Sequence, residues 1–148
     1  MALTFTLLSP NDAGRLSRLL EQWYWADSQG FDLAAARQQS DRLLSNSRVG
    51  HAWIIESENS CIGYAMLTFS AAGIGEPRAY VSALYLAPDW RGKGFGRRTE
   101  LFLADVAQWL KVRLHAFDVE SERKHAHSFS KPFFHFVQSR PELRGAVA

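Results

Sequence analysis

The residues best suited to chemistry lie in one short segment, positions 90 to 98. The segment holds three glycines at alternate positions and four cations, with no acidic residue. The cations are Arg91, Lys93, Arg97 and Arg98. Glycines let a backbone turn sharply and bring its N–H groups close to a ligand. Because a helix-type pattern follows, the first helical turn would add unpaired N–H donors. The segment therefore predicts a cradle for a phosphorylated ligand.

Two common phosphate-binding motifs match this segment poorly. A P-loop requires G-x-x-x-x-G-K-[ST], and the chain contains no such string. A dinucleotide fingerprint requires G-x-G-x-x-G; Gly92 and Gly94 fit it, but Arg97 stands where the third glycine belongs. Asp118 lies roughly twenty residues further on, where a ribose-binding acid is expected. Dinucleotide binding therefore stays open, as does a glycine turn that binds no ligand.

The same residues resemble the acetyl-CoA signature of the GNAT N-acetyltransferase superfamily, [QR]-x-x-G-x-[GA]. Residues 91–96 read R-G-K-G-F-G, and residues 84–88 read L-Y-L-A-P where the family's preceding strand ends in L-x-V-x-P. The resemblance implies that acetyl-CoA is the cosubstrate, with its pyrophosphate on the backbone N–H groups of residues 91–96. The residues so assigned to acetyl-CoA are Leu84, Leu86, Arg91, Gly92, Lys93, Gly94, Phe95, Gly96 and Arg97.

The resemblance also implies a reaction and an acceptor site. An acetyl group would pass directly to an amine of a small molecule or peptide, without a protein-bound intermediate. The pantetheine arm would pair with the backbone around Leu84 and Leu86, in a V-shaped gap before a strand near Leu114. The loop between two N-terminal helices would lie beside the acceptor, which makes Tyr24, Trp25 and Asp27 substrate-binding candidates. Because family members commonly dimerise, a homodimer is a further expectation.

The catalytic residues of the family are replaced in this chain. Its carboxylate on the strand before the signature aligns with Tyr80, Ser82 or Ala83, and its proton-donating tyrosine aligns with Ser130. Tyr80 and Ser130 are therefore the catalytic candidates, with Tyr85 as an alternative to Tyr80. Four of the five histidines lie in the last 34 residues and offer alternative general bases. These replacements leave a second function open, a catalytically weak acyl-CoA-binding module.

Hydrophobic patterning places these residues in an α/β fold. Strands are predicted over 3–7, 51–56, 61–69, 78–86, 114–119 and 133–137, and helices from Ser9 to about Trp23 and over 32–44 and 95–112. The last helix is expected to bury Phe102, Leu103, Val106, Trp109 and Leu110. This order indicates a mixed, mostly antiparallel central sheet with helices on both faces, a GNAT-like three-layer architecture.

Size and composition are consistent with one domain over residues 1–148. The chain has a mass of 16.7 kDa, 47% hydrophobic residues and a net charge of +2, which is too little to coat a phosphate backbone. A single cysteine excludes an internal disulfide and a thiolate zinc site. No apolar run approaches about 18 residues and no signal peptide is recognisable. We therefore expect a cytoplasmic protein with no nucleic-acid, membrane or metal partner.

Overall fold

The computed structural model describes residues 2–70, 78–110 and 113–115. Its elements are β1 (Thr4–Leu7), α1 (Ala13–Ala26), α2 (Leu33–Ser45), β2 (Gly50–Ser57), β3 (Ser60–Ser70), β4 (Arg78–Leu86), α3 (Phe95–Trp109) and β5 (Arg113–His115), with 3-10 turns at Pro10–Asp12 and Pro88–Trp90. This order confirms the sequence prediction as far as residue 115. The predicted strand over 133–137 and the continuation of β5 to residue 119 lie outside the described residues.

The strands form one sheet in the order β1-β2-β3-β4-β5. The first four pair antiparallel, whereas β5 pairs parallel to β4 through Arg78–Arg113, Ala79–Leu114 and Tyr80–His115. The predicted hairpin between β2 and β3 is confirmed, and Glu58 and Asn59 adopt positive φ angles of 51° and 65° at its turn. The sheet is therefore mixed and mostly antiparallel, as predicted.

Helices cover both faces of the sheet. Against one face, α1 and α2 bury Leu16, Leu20, Trp23, Ala36, Leu43 and Leu44 with the sheet residues Tyr64, Met66, Ala83 and Tyr85. Against the other face, α3 buries Leu103, Ala104 and Ala107 with Trp53, Ala65, Leu67, Val81 and Leu84. The strands β2, β3 and β4 thus alternate between two apolar cores, and this alternation produces the predicted three-layer α/β architecture. None of the described helices is long and apolar enough to cross a membrane.

A bulge in β4 interrupts this alternation. Met66 pairs with Ala83 and Leu67 pairs with Val81, so Ser82 is the extra residue. The buried Ser82 hydroxyl accepts a hydrogen bond from Thr68 Oγ1 at 2.8 Å and donates one to the Met66 carbonyl at 3.3 Å. The bulge resets the side chains of β4, so that Tyr85 faces α1 and Leu86 faces the start of α3.

The buried face predicted for α3 is wrong at its end. Trp109 is 81% exposed, whereas the helix buries Phe95, Thr99, Glu100, Leu103, Ala104 and Ala107. The prediction gave most weight to large side chains. Small residues lie against the sheet instead, because Ala104 and Ala107 allow the helix to approach it closely. The helix ends at Trp109 rather than continuing to residue 112.

Candidate functional site

The glycine-rich loop after β4 turns through two left-handed residues. Gly92 has φ +75° and Gly94 has φ +82°, a region that side chains other than glycine rarely adopt. A Cβ atom added at either position would meet no described atom within 4 Å. Among the described residues, glycine is therefore required here by backbone conformation and not by crowding.

The N-terminus of α3 continues from this loop. Among the described residues no side chain caps the helix, and Gly94 at the N-cap accepts its first hydrogen bond from the Arg98 N–H at 3.1 Å. The N–H groups of residues 95–97 precede that bond, so the helix itself leaves them without partners. The Phe95 side chain is buried with Ile55, Ile62 and Leu86 and fixes the start of the helix. Fixed N–H groups at the positive end of a helix dipole are suited to an anion.

All four predicted cations of this segment are exposed, namely Arg91, Lys93, Arg97 and Arg98. Lys93 Nζ lies 5.2 Å from the centre of the Trp90 ring, and Arg98 Cζ lies 5.8 Å from that of Phe95. Positive charge therefore surrounds the open glycine turns, as the sequence predicted.

Arg91 behaves differently from the other cations. Its N–H donates to the Pro88 carbonyl at 3.2 Å and its Nε donates to the Leu86 carbonyl at 2.9 Å. Its Nη2 donates to Asp27 Oδ2 at 2.7 Å. Backbone and guanidinium are thus both bonded within the chain, so the role predicted for Arg91 in holding pyrophosphate has no support from these contacts.

Asp27 joins the acceptor candidates to the cosubstrate candidates. Besides Arg91, the phenol of Tyr85 donates to Asp27 Oδ2 at 3.3 Å. The Asp27 side chain is 15% exposed and that of Arg91 is 45% exposed. Burial and the Asp27 carboxylate raise the pKa of Tyr85 to about 12, against the opposing effect of the Arg91 charge. Sequence patterns did not reveal the bond between Asp27 and Arg91, because these residues lie 64 positions apart.

The loop between α1 and α2, residues 27–32, packs tightly at this point. A Cβ added to Gly30 would lie 2.6 Å from Asp27 Oδ2 and 2.6 Å from Tyr85 Cε2. The ring of Phe31 meets that of Tyr85 edge-on, with centres 4.9 Å apart. This α1–α2 loop is therefore fitted against the end of β4.

The two aromatic acceptor candidates lie where α1 ends. Trp25 is 76% exposed, and its ring meets that of the half-buried Tyr24 edge-on, with ring centres 5.6 Å apart. The ring of Tyr24 also meets that of Phe31 edge-on, with ring centres 6.3 Å apart. The prediction that at least one of them reaches the surface is confirmed, and their role in binding an acceptor stays a prediction.

The catalytic candidates are only partly described. Tyr80 is half-buried on β4 and pairs with Thr68 and His115. The Ser82 hydroxyl already bonds to two groups of β3, and the Tyr85 phenol is buried. Ser130, Asp118 and the later histidines lie outside the described residues. No group of metal-ligating side chains occurs in the described part of the chain.

The expected gap beside β4 is also only partly described. Leu84 and Leu86 pair with Ala65 and Gly63 of β3. On the other side of β4, the described part of β5 reaches only Tyr80. The strand that would border Leu84 and Leu86 lies after residue 115, outside the described residues.

Several solved structures share this fold. A ribosomal-protein-alanine N-acetyltransferase from Brucella melitensis biovar Abortus 2308 is 23% identical, with 77% of each chain covered and a TM-score of 0.57. An aminoglycoside acetyltransferase from an uncultured soil metagenomic sample is 18% identical, with 80% of each chain covered and a TM-score of 0.63. A predicted acetyltransferase from Clostridium acetobutylicum, solved with acetyl-CoA, is 16% identical, with 88% of this chain and 92% of that chain covered and a TM-score of 0.56. At these identities the likeness establishes the fold alone.

The sequence itself carries a family match. No curated protein matches the chain. The model of the acetyltransferase (GNAT) family, however, matches residues 17–136. The match extends from α1 through the glycine-rich loop and α3, which together form the site described above. The chain therefore belongs to the GNAT family of acetyltransferases.

Proposed function

We propose that the protein transfers the acetyl group of acetyl-CoA directly to an amine of a small molecule or peptide. The observation that carries this proposal is the positively charged turn at Gly92 and Gly94, which leads into the N-terminus of α3, a helix end that no described side chain caps. The backbone there has positive φ angles that favour glycine, although no described residue crowds it. Such a backbone is explained by a ligand that approaches closely.

The described residues fit a pyrophosphate group. The first-turn N–H groups of residues 95–97 would hold it, and Lys93, Arg97 and Arg98 would supply opposite charge. The buried Phe95 keeps these N–H groups in place before a ligand arrives. A site arranged in advance loses less conformational entropy on binding. Acetyl-CoA, when bound, would supply a thioester whose acetyl carbon an amine can attack.

The chain's own groups would assist the departure of the thiol. During attack a C–N bond forms, the C–S bond breaks and the thiolate leaves with the electron pair of that bond; the amine nitrogen loses one proton and the thiolate takes one up. Tyr85 is poorly placed to protonate the thiolate, because its phenol is buried and already donates to Asp27 Oδ2 at 3.3 Å. We propose Tyr80 or Ser130 for this role.

Thermal melting with acetyl-CoA, CoA and NAD tests the proposal. Acetyl-CoA and CoA should each raise the melting temperature, by roughly 5–10 °C at a hundredfold excess over Kd, and NAD should not. Thiol release should then be measured with aminoglycosides and with peptides that begin with alanine, acceptors suggested by the names of two similar structures.

Each outcome of this experiment has a defined meaning. The absence of a shift with both CoA species would overturn the proposal, and a shift with NAD alone would indicate a dinucleotide site. A clear shift without thiol release for any amine would favour the acyl-CoA-binding module.

A further inference from the structure

We infer that Asp27 is a positioning residue of the acetyl-CoA site. Its carboxylate holds Arg91, the first residue of the signature, and so joins the α1–α2 loop to the loop that receives the pyrophosphate. The inference rests on the proposed function. It assigns Asp27 to the cosubstrate side of the site, whereas the sequence placed this residue on the acceptor side.

Arg91 anchors the segment that leads into the glycine turns. Its hydrogen bonds reach the Pro88 carbonyl, the Leu86 carbonyl and Asp27, and so they bind the strand end, the 3-10 turn and the α1–α2 loop together. The glycines that follow, Gly92 and Gly94, have few steric restraints of their own. The anchor therefore fixes one end of the glycine-rich loop, and α3 fixes the other.

Asp27 is held firmly enough to serve as the anchor point. Its N–H donates to the carbonyls of Trp23 at 2.8 Å and Tyr24 at 3.2 Å, and its carbonyl accepts from the Gly30 N–H at 3.0 Å. Its Oδ2 accepts from both Arg91 and Tyr85. A cationic amine at this carboxylate would have to displace the guanidinium at 2.7 Å, so direct recognition of the acceptor by Asp27 is disfavoured.

The link makes the two binding events interdependent. An acceptor that shifts the α1–α2 loop would move Asp27, and the shift would pass through Arg91 to the glycine turns. Coupling of this kind is reciprocal, because each ligand must change the affinity for the other by the same factor.

The variant Asp27→Asn tests the inference most directly. Asparagine has the same shape and still offers an oxygen to the Tyr85 phenol, but it lacks the charge that holds Arg91. We expect its Kd for acetyl-CoA, measured by calorimetry without acceptor, to rise about five- to tenfold. Asp27→Glu restores a carboxylate and should recover part of the affinity.

A second variant and a control complete the experiment. Arg91→Gln should weaken acetyl-CoA binding to a similar extent, and the double variant should be no weaker than either single variant by more than about twofold, since both remove the same link. The matched control is Glu21→Gln. It breaks the 2.9 Å ion pair of α1 with Arg37, away from the loop, and should leave the Kd unchanged.

Several results would overturn the inference. An unchanged Kd for acetyl-CoA in Asp27→Asn, with a raised KM for the acceptor alone, would return Asp27 to the acceptor site. Tighter binding would show that Arg91 is a phosphate ligand that Asp27 withholds. If Asp27→Asn does not fold, Arg91→Gln decides through its salt dependence: weaker binding that persists in about 0.5 M salt supports the anchor, whereas a loss that vanishes there makes Arg91 a phosphate ligand. Failure of the wild-type protein to bind acetyl-CoA would instead remove the proposed function.

Discussion

Two loops meet at the end of β4, and they are built in opposite ways. The signature loop turns at Gly92 and Gly94 through their positive φ angles, and a Cβ on either would meet no described atom within 4 Å. The α1–α2 loop is packed against distant partners, because a Cβ on Gly30 would lie 2.6 Å from Tyr85 Cε2 and Asp27 bonds to Arg91. In the proposed function, the first loop receives the ligand and the second loop supports it. Within one site, the signature loop is therefore uncrowded by described residues, whereas the α1–α2 loop that supports it is tightly packed.

The largest effect is expected when the open loop is closed by a side chain. Gly94→Val places a β-branched residue at φ +82°, where the backbone alone costs about 1–2 kcal/mol, and fills the space reserved for the ligand. We expect the Kd for acetyl-CoA, measured by calorimetry, to rise at least about 100-fold, which corresponds to roughly 2.7 kcal/mol.

The control for this variant is Gly14→Val on the exposed side of α1, where a Cβ lies 3.4 Å from the Arg18 side chain. The affinity of Gly14→Val for acetyl-CoA should match that of the wild-type protein. If Gly94→Val binds within about threefold of the wild type, the pyrophosphate does not lie on this loop.

The next largest effect concerns the free energy of unfolding, which should depend on pH through the buried phenol of Tyr85 beside the α1–α2 loop. The folded protein keeps the Tyr85 proton up to a pKa of about 12, whereas an unfolded chain loses it near 10. Between these values the folded state binds more protons, so the free energy of unfolding falls as the pH rises, by about 2–3 kcal/mol. The contribution is complete below pH 10.

Urea unfolding at pH 9 and pH 11.5 checks this dependence. Tyr85→Phe should lose less stability than the wild type between the two pH values, because the titrating group is gone. Tyr24→Phe, on the neighbouring end of α1, serves as the control and should behave as the wild type. Equal losses in all three proteins would show that the phenol of Tyr85 is not buried against Asp27.

The same contrast explains what the sequence could predict. The signature segment and its strand, turn and helix are local patterns, so the spacing of the glycines and of Leu84 and Leu86 located them correctly. The 3-10 turn that leads into α1 is equally local, because Asp12 Oδ2 accepts from the Ser9 N–H three residues earlier at 2.8 Å. Short-range rules were sufficient for such elements.

Other features depend on partners that no local pattern reveals. The pair of Arg91 and Asp27 forms only when the sheet brings residues 64 positions apart together. The bulge at Ser82 arises from pairing with β3, and the exposure of Trp109 follows from the side of α3 that meets the sheet. Tertiary packing decided these features, so hydrophobic periodicity alone could not predict them.

Crowding at Gly30 offers a test of the supporting loop. Gly30→Ala introduces a Cβ 2.6 Å from both the Asp27 carboxylate and the Tyr85 ring, and such overpacking costs about 1–3 kcal/mol. The melting temperature should fall by several degrees, and acetyl-CoA binding should weaken as Asp27 is displaced. The control Gly14→Ala, in α1, should instead stabilise by up to about 1 kcal/mol. A melting temperature unchanged by Gly30→Ala would mean that the α1–α2 loop is not fitted tightly to β4.

The smallest effect on acetyl-CoA binding is expected from the exposed cation Lys93. The salt dependence of the Kd should distinguish Lys93 from the anchored Arg91. Lys93 contacts only the face of Trp90 among the contacts described, so Lys93→Gln should leave the melting temperature within about 1 °C. Its Kd for acetyl-CoA should rise about two- to fivefold at low salt, and the difference should vanish near 0.5 M salt, where the screening length is only about 4 Å. Arg91→Gln acts through geometry rather than through an exposed charge, so its weaker binding should persist in high salt and its melting temperature should fall. If the two variants respond to salt alike, both cations are phosphate ligands and the distinction between the receiving and the supporting loop is lost.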